Sequence, residues 1–565
     1  MRHATRRSGF TLAGFTTAAL VTLATGVSVS AQSRLLPAQG ASIAATAVSS
    51  GQGSAPVRRI SADEAVQLAL EQNLGIQIER VNPRIQDVAV AQARSLWVPT
   101  VSSTISSNST TSQAISAFSG GQTSVNDSRF TTVFGVSQLL PTGASYSVAW
   151  NNWRGTSTNI FNSYDPQLSS TLSLNVTQPL IRNFKIDPAR QQLDLSRKDR
   201  DAADLQLQST IVATSRTVKN AYWEMVYQIS SLNAAQESLD LAKRVLGDNE
   251  KRVQIGTMAP IDIVEAQSEV ARNEESVIIA QAAIRSAEDQ LRALIYDPSS
   301  PDFWTLTIEP SETTTPPQPQ SLDIDDAVRR AVANRIDIKQ VKNSLEHGDI
   351  NLRYYRNQSL PDVSAQLSFS SAAVGGVLLS PVTSLTDASL QRSVIGQSGY
   401  GSVLGDAFTN SFPTWTLGVT VSYPIGASTA DASLARTKLQ HSQSETELKN
   451  LELQVATQVR EIGRQVQTNQ KRVDTTRVAR ELAERRLEAA EKKFAAGIET
   501  SFFVFQAQRD LSTERTNEVR AISDYNKSLV DFEAVQQAPL VQPASVVQPA
   551  SLVQQAPLGQ QAPAR

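Results

Sequence analysis

Two carboxylates three residues apart, Asp262 and Glu265, are the side chains whose type and spacing point most directly to chemistry. On a helix they share one face, and acids gathered around an axis attract cations and hold back anions. They lie just past Gly256-Thr257 in Val253–Gln267, VQIGTMAPIDIVEAQ. A second stretch, Lys493–Gln508 (KFAAGIETSFFVFQAQ), repeats the pattern 241 residues later, with Gly497 for Gly256 and Ala507-Gln508 for Ala266-Gln267. There the equivalents of Asp262 and Glu265 are Phe503 and Gln506. A plainer reading of the acids competes. Pro260 suits a helix first turn, and acids there gain about 0.3–1 kcal/mol from the helix dipole.

Little else offers reactivity. The 565 residues include no cysteine, which removes disulfides, thiolate chemistry, Cys-based zinc sites and the acylated cysteine of a lipoprotein. Of three histidines, His3 lies near the N-terminus, and His347 and His441 have no metal-ligand spacing between them. There is no Gly-rich phosphate loop ending in Lys-Ser/Thr, no His-Glu-x-x-His and no triad neighbourhood. No enzymatic activity, metal or cofactor is therefore expected. A formal charge of −2 gives no electrostatic reason to expect nucleic acid.

The elements that must position the tips come next. Residues 1–31 read as a secretory signal: Arg2, Arg6 and Arg7, a weakly apolar run Phe10–Val27, then Val29-Ser30-Ala31 before a cleavage point at Gln32. An N-terminal membrane anchor is the competing reading. Residues 32–57 form a flexible lead-in. Ser61-Ala62-Asp63-Glu64 starts a short helix with a capping box, and a second stretch, about Ile76–Leu96, carries Pro83. From Val101 the texture turns to Ser/Thr-rich alternation, with strand-like runs Phe130–Leu139 and Tyr146–Trp153 flanking Leu140-Pro141-Thr142-Gly143. Such strands suit an outer-membrane barrel wall or a soluble sandwich equally. After Asp187-Pro188, apolar positions Val218, Tyr222, Met225, Ile229, Leu232, Ala235, Leu239, Ala242 and Leu246 step by three and four, a coiled-coil seam. Gly256 ends that helix, and Pro260–Leu294 returns.

The pattern then restarts. Leu322–Val328 echoes Ile60–Val66, Leu360–Ser364 echoes Val98–Ser102, and Val419–Ile425 echoes Leu174–Leu180. A second seam runs through Leu448, Leu451, Val455, Val459, Ile462, Val466 and Val473. Landmarks in one order at shrinking offsets indicate a tandem duplication. Repeat 1 spans 58–297, with a β segment at 100–179 and a helical hairpin at 187–296. A Pro-rich linker (298–320) leads to repeat 2 at 321–536, with a β segment at 361–425 and a hairpin at 429–535. A Gln/Pro/Ala tail, 537–565, is expected to be disordered. The residues read as mainly α with two β segments, transmembrane or soluble. The runner-up is a coiled-coil envelope scaffold without a pore.

Helix, strands, long helix, glycine tip and returning helix, twice over, resemble the TolC family of outer-membrane efflux proteins. Asp63-Glu64-Ala65-Val66 with Ala69-Leu70 and Asn73, Leu96–Pro99, Gln178-Pro179-Leu180, Ile255-Gly256-Thr257 and Ala266-Gln267 carry the match, with their second-repeat counterparts. The resemblance implies a homotrimer whose strands close one β-barrel in outer-membrane lipid and whose helices continue as a periplasmic α-barrel. It implies an exit duct for efflux or type I secretion, served by an inner-membrane pump and a periplasmic adaptor. It places a periplasmic entrance ring at Asp262 and Glu265, and adaptor docking at Gly256, Thr257 and Gly497. Two departures stand out: an extra candidate hairpin, Phe130–Trp153, in repeat 1, and a Gly/Ser-rich stretch between Phe369 and Trp415 in repeat 2. Trp150, Trp153, Trp415 and Phe412 suit either a lipid-interface belt or buried packing.

Overall fold

The computed structural model describes residues 57–114, 123–313, 322–382, 392–410, 412–426 and 428–540. The expected signal, nearly all of the lead-in and the tail beyond 540 lie outside them. The chain runs β1 (Val57–Ile60), α1 (Ala62–Gln72), α2 (Leu74–Arg94), β2 (Thr100–Gln113), β3 (Ser124–Leu139), β4 (Ser145–Ser157) and β5 (Tyr164–Pro179). Then come α3 (Pro188–Gln254), α4 (Ile261–Ile295), β6 (Thr307–Pro310), α5 (Ile324–Asn334) and α6 (Ile336–Gln358). The last elements are β7 (Asp362–Leu379), β8 (Val394–Gln397), α7 (Tyr400–Asp406), β9 (Pro413–Ser422), α8 (Thr429–Ala495) and α9 (Ser501–Val535).

The duplication holds to the residue in the hairpins. Helices α3 and α8 are each 67 residues and α4 and α9 each 35. At 1.5 Å per residue the long arms span roughly 100 Å. Each long arm starts on a side-chain cap: Asp187 accepts from the Arg190 N–H at 2.7 Å, and Ser428 from the Asp431 N–H at 3.1 Å.

Each repeat builds its own core. In the first, Ala65 and Ala69 of α1 meet Val218, Tyr222 and Met225 of α3 and Leu291 and Ile295 of α4. In the second, Ala327 and Ala331 of α5 meet Val455, Val459 and Val466 of α8 and Tyr525 and Phe532 of α9. All seven expected seam residues of α8 pack there. The α3 seam drifts beyond Ile229: Ala234 is buried, not Ala235, and Val245, not Leu246, packs on a cluster of Leu487, Val504 and Leu511 in the second hairpin. An α-helix precesses against a 3.5-residue repeat, and α3 must meet both α4 and α9.

Two boundaries differ from the sequence expectation. The Pro-rich linker contains β6, which pairs in parallel with β1, Val57↔Thr307 to Ile60↔Pro310. The first residues of the expected tail are packed: Gln537 accepts from the Ile336 N–H, Leu540 accepts from Arg216, and Ala538 is buried. Hydrogen bonds to backbone groups supply the reason in both cases, and they leave no periodic side-chain signal.

The larger sheet runs β2-β3-β4-β5-β7, with β9 and the short β8 both on the far side of β7. All pairs are antiparallel. Register fixes the faces. Ile105, Thr132, Asn152, Ser170 and Ala373 line up on one side, as do Phe134, Trp150, Leu172 and Ser371. That side also carries Val136, Val148, Leu174, Leu367, Phe369, Trp415 and Leu417. The other side carries Ser106, Thr131, Asn151, Thr171, Ser368 and Thr416. One face is apolar and the other Ser/Thr-rich, the period-2 pattern of a wall between two solvents. Near the end of the sheet away from the helices, Val403 of α7 and the following Ala407 rest on Leu168 and Ala373 of the apolar face.

Candidate functional site: hairpin tips and strand wall

Both tips close the same way because both glycines sit in the left-handed region, φ +78° at Gly256 and +73° at Gly497. The Gly256 N–H donates to the Val253 carbonyl at 3.0 Å and the Thr257 N–H to Arg252 at 2.9 Å. The Gly497 N–H donates to Phe494 at 3.1 Å and the Ile498 N–H to Lys493 at 2.9 Å. This closes the helix end with a residue that needs no Cβ. A Cβ on either glycine would meet no atom within 4 Å, so backbone conformation, not crowding, calls for glycine. Thr257 adds a hydroxyl bond to the Arg252 carbonyl at 3.0 Å.

The tips touch each other. The Arg252 guanidinium lies 4.4 Å above the Phe494 ring and donates to the Phe494 carbonyl at 3.3 Å. Ile255 and Ile498 stand 73% and 75% exposed beside the two turns, apolar side chains at the free end of the rod. Asp262, in the first turn of α4, is half-buried, and Glu265 is exposed. Neither carboxylate forms an ion pair among the described residues. In α9, Phe503 is half-exposed and packs edge-on against Phe502 with ring centroids 5.7 Å apart, while Gln506 is half-buried.

Sequence reasoning missed Glu269, one turn past Glu265. It is buried, yet meets Arg509 of α9 at 3.2 Å and Arg272 at 3.6 Å, tying hairpin one to hairpin two. Its heptad distance from Asp262 was the available signal. More ion pairs cross between α3 and α9: Arg216–Asp531 at 2.6 Å, Glu237–Arg515 at 2.5 Å and Glu224–Lys527. Burial opposes charge on Glu224, but the Lys527 hydrogen bond and charge outweigh it and hold the carboxyl below its ordinary value. The histidines are surface partners: His347 to Asp199 at 3.2 Å, His441 to Asp349 at 3.1 Å and Glu445 at 3.5 Å. No cluster of metal-ligating side chains occurs among the described residues.

The aromatic set divides. Trp150 and Trp415 lie on the apolar face; Trp415 and the neighbouring Phe412 are each 70% exposed. Trp150 packs on Phe134 and Phe408 and donates to the Ser170 hydroxyl at 2.9 Å. Trp153 points to the opposite, polar face, under Arg129 at 3.8 Å. No described helix is long and apolar enough to cross a membrane.

The model of the outer membrane efflux protein family matches residues 65–295 and 327–535, one span per repeat. The chain belongs to that family. It is an outer-membrane efflux channel, and the family assignment decides against a pore-free scaffold. Solved channels share the fold. The outer-membrane channel OprN aligns with a TM-score of 0.59 at 16% identity, over 85% of this chain and 90% of its own. VceC from Vibrio cholerae aligns at 0.57 and 15%, over 84% and 96%. The open state of the Neisseria gonorrhoeae MtrE channel aligns at 0.56 and 15%, over 84% and 89%. No curated protein matches the chain.

Proposed function

We propose that three copies of this chain form one duct through the outer membrane and periplasm, passively conducting substrates delivered by an inner-membrane pump through a periplasmic adaptor. One observation carries the reading. The sheet has two chemically distinct faces and, among the described residues, two long unpaired edges, β2 and β9, and it stands on hairpins roughly 100 Å long. An open sheet in lipid leaves backbone groups unsatisfied, and sharing edges between copies removes the cost. The apolar face then meets lipid and the Ser/Thr face lines the lumen. The energy comes from the pump, and the duct itself performs no catalytic step.

At the other end Gly256, Thr257 and Gly497 offer the adaptor two exposed turns per subunit, and Asp262 and Glu265 form a six-carboxylate entrance ring. Outer-membrane fractionation with a heat-modifiable, trimer-sized band on mild gels tests assembly, and a monomer-sized band there defeats it. In planar bilayers Asp262→Ala with Glu265→Ala should leave a leakier, less cation-selective pore. Unchanged conductance and selectivity would remove the ring. Gly256→Trp should abolish transport in cells while the trimer still assembles, and normal transport would exclude docking at that turn.

A further inference from the structure

We infer that the barrel wall has six strands per subunit rather than four, so that the outer exit is an eighteen-stranded, wide and nearly uncharged pore. This rests on the trimeric reading above. In repeat 2 the two long strands β7 and β9 are direct neighbours, paired from Asp362↔Ser422 to Ser371↔Pro413. Their repeat 1 counterparts, β2 and β5, do not touch, because β3 and β4 lie between them as full members of the sheet. The inserted hairpin pairs with β2 from Thr100↔Ser137 to Gln113↔Ser124, and with β5 from Ser145↔Thr177 to Gly155↔Gln167.

Three features show that the hairpin belongs to the wall and is not an external loop. Its strands, 16 and 13 residues, match the 16 of β5. Most of its large apolar residues, Phe130, Phe134, Val136, Val148 and Trp150, fall on the same face as those of the other strands, with Val133 and Trp153 on the opposite one. Its turn descends to the helix end of the sheet. Gly143, φ +83°, is so close to that junction that a Cβ would lie 2.7 Å from the Asn183 carbonyl and 2.9 Å from the Arg190 guanidinium, at the start of α3. Gln138 donates to the Trp97 carbonyl at 2.7 Å at the same level.

Three subunits of six lanes close at a backbone diameter of about 36 Å, against about 24 Å for four lanes each, taking strands 4.8 Å apart and tilted 40°. The lumen face of the hairpin carries Thr131, Val133, Ser137, Ser147, Ala149 and Asn151, with Arg129 stacked on Trp153 and Asp127 towards the outer end. Such a lining gives little preference for either sign of charge. The exit therefore admits bulky hydrated cargo, polypeptide included, and leaves selection to the entrance and the pump.

The absence of cysteine makes disulfide mapping clean. Asn151 and Thr171 face each other across β4 and β5. Ser106 and Thr171 are the repeat 1 counterparts of Ser368 and Thr416, which face each other across β7 and β9. In the full-length protein in outer membranes, Asn151→Cys with Thr171→Cys should cross-link on mild oxidation, and Ser106→Cys with Thr171→Cys should not. A trimer that links the second pair, or neither, overturns the six-lane wall. A chain that links the first pair but runs as a monomer defeats the trimer and the eighteen-strand count with it. Deleting residues 124–157 joins β2 to β5 by a surface loop at the outer end. In trimers of that variant the largest poly(ethylene glycol) entering from the outer side should shrink by about a third in diameter, and an unchanged cutoff would refute the width.

Discussion

The two repeats share one framework and differ at three places, each of which shows what the framework tolerates. Equal hairpin lengths and matching cores show that the scaffold is fixed. The wall differs, four lanes in repeat 1 against two long ones in repeat 2. So does the tip, acidic past Gly256 and aromatic past Gly497. The third difference is the joint between the two short helices. In repeat 1 Asn73 caps α2 through the Ile76 N–H at 3.2 Å and donates to the Leu294 carbonyl at 2.9 Å. In repeat 2 the equivalent residue is Arg335, buried, donating to the Val535 carbonyl at 3.2 Å, to Gln458 at 2.8 Å and to Asp337 at 2.7 Å. Leu294 and Val535 occupy the same place in their returning helices. The same task, tying the break to the end of the hairpin, is done by an amide in one copy and in the other by a buried cation that makes four hydrogen bonds.

That contrast predicts the largest effect. Arg335→Ala leaves Asp337 and Gln458 without their partner and should cost roughly 3–5 kcal/mol, whereas Asn73→Ala loses a cap and one hydrogen bond, about 1–2 kcal/mol. Thermal melting of the helical circular dichroism in detergent ranks the two. Equal losses would show that the charge adds nothing to the joint. At the tips, Phe503→Asp with Gln506→Glu gives the second repeat the acids of the first. If both returning helices line the entrance, cation selectivity in planar bilayers should rise above that of the unmodified channel. No change would assign the entrance field to repeat 1 alone.

Legibility in the sequence followed the strength of the periodic signal. The α8 seam, Leu448 to Val473, could be read residue by residue because valine and leucine at spacings of three and four face one core. The tip glycines could be read because a helix ending in the left-handed region selects glycine. Strand extents could not. Over the 14 residues of β2 only Val101 and Ile105 are apolar, so alternation fades before the strand does. The β1–β6 ladder joins residues 250 apart in two strands of four residues, too short to leave a periodic pattern. Nothing in the sequence marks Arg335 as buried, since burial of a cation depends on acceptors from Gln458 and Val535 far along the chain. At the tips, Asp262 and Glu265 were visible by type and spacing, whereas Glu269 had only its heptad distance from Asp262, and its burial depends on Arg509 of the other hairpin.

The smallest effect concerns how the repeats are held to each other. Each hairpin is built on an apolar core with ion pairs at its margin, and between α3 and α9 the ion pairs Arg216–Asp531, Glu237–Arg515 and Glu224–Lys527 add a contact that responds to pH. Glu224 is held below its ordinary value by Lys527 despite partial burial. Its folded value is therefore depressed relative to the unfolded chain. The stabilisation is complete above the unfolded carboxylate range and is lost as pH falls through the lower folded value. As a partly solvated pair it contributes up to about 1 kcal/mol. The melting temperature of the unmodified protein should thus drop more between pH 7 and pH 4 than that of Glu224→Gln, with the gap closing at the acid end. Parallel pH profiles would mean that the repeats are joined by packing, with Glu224–Lys527 neutral in the balance.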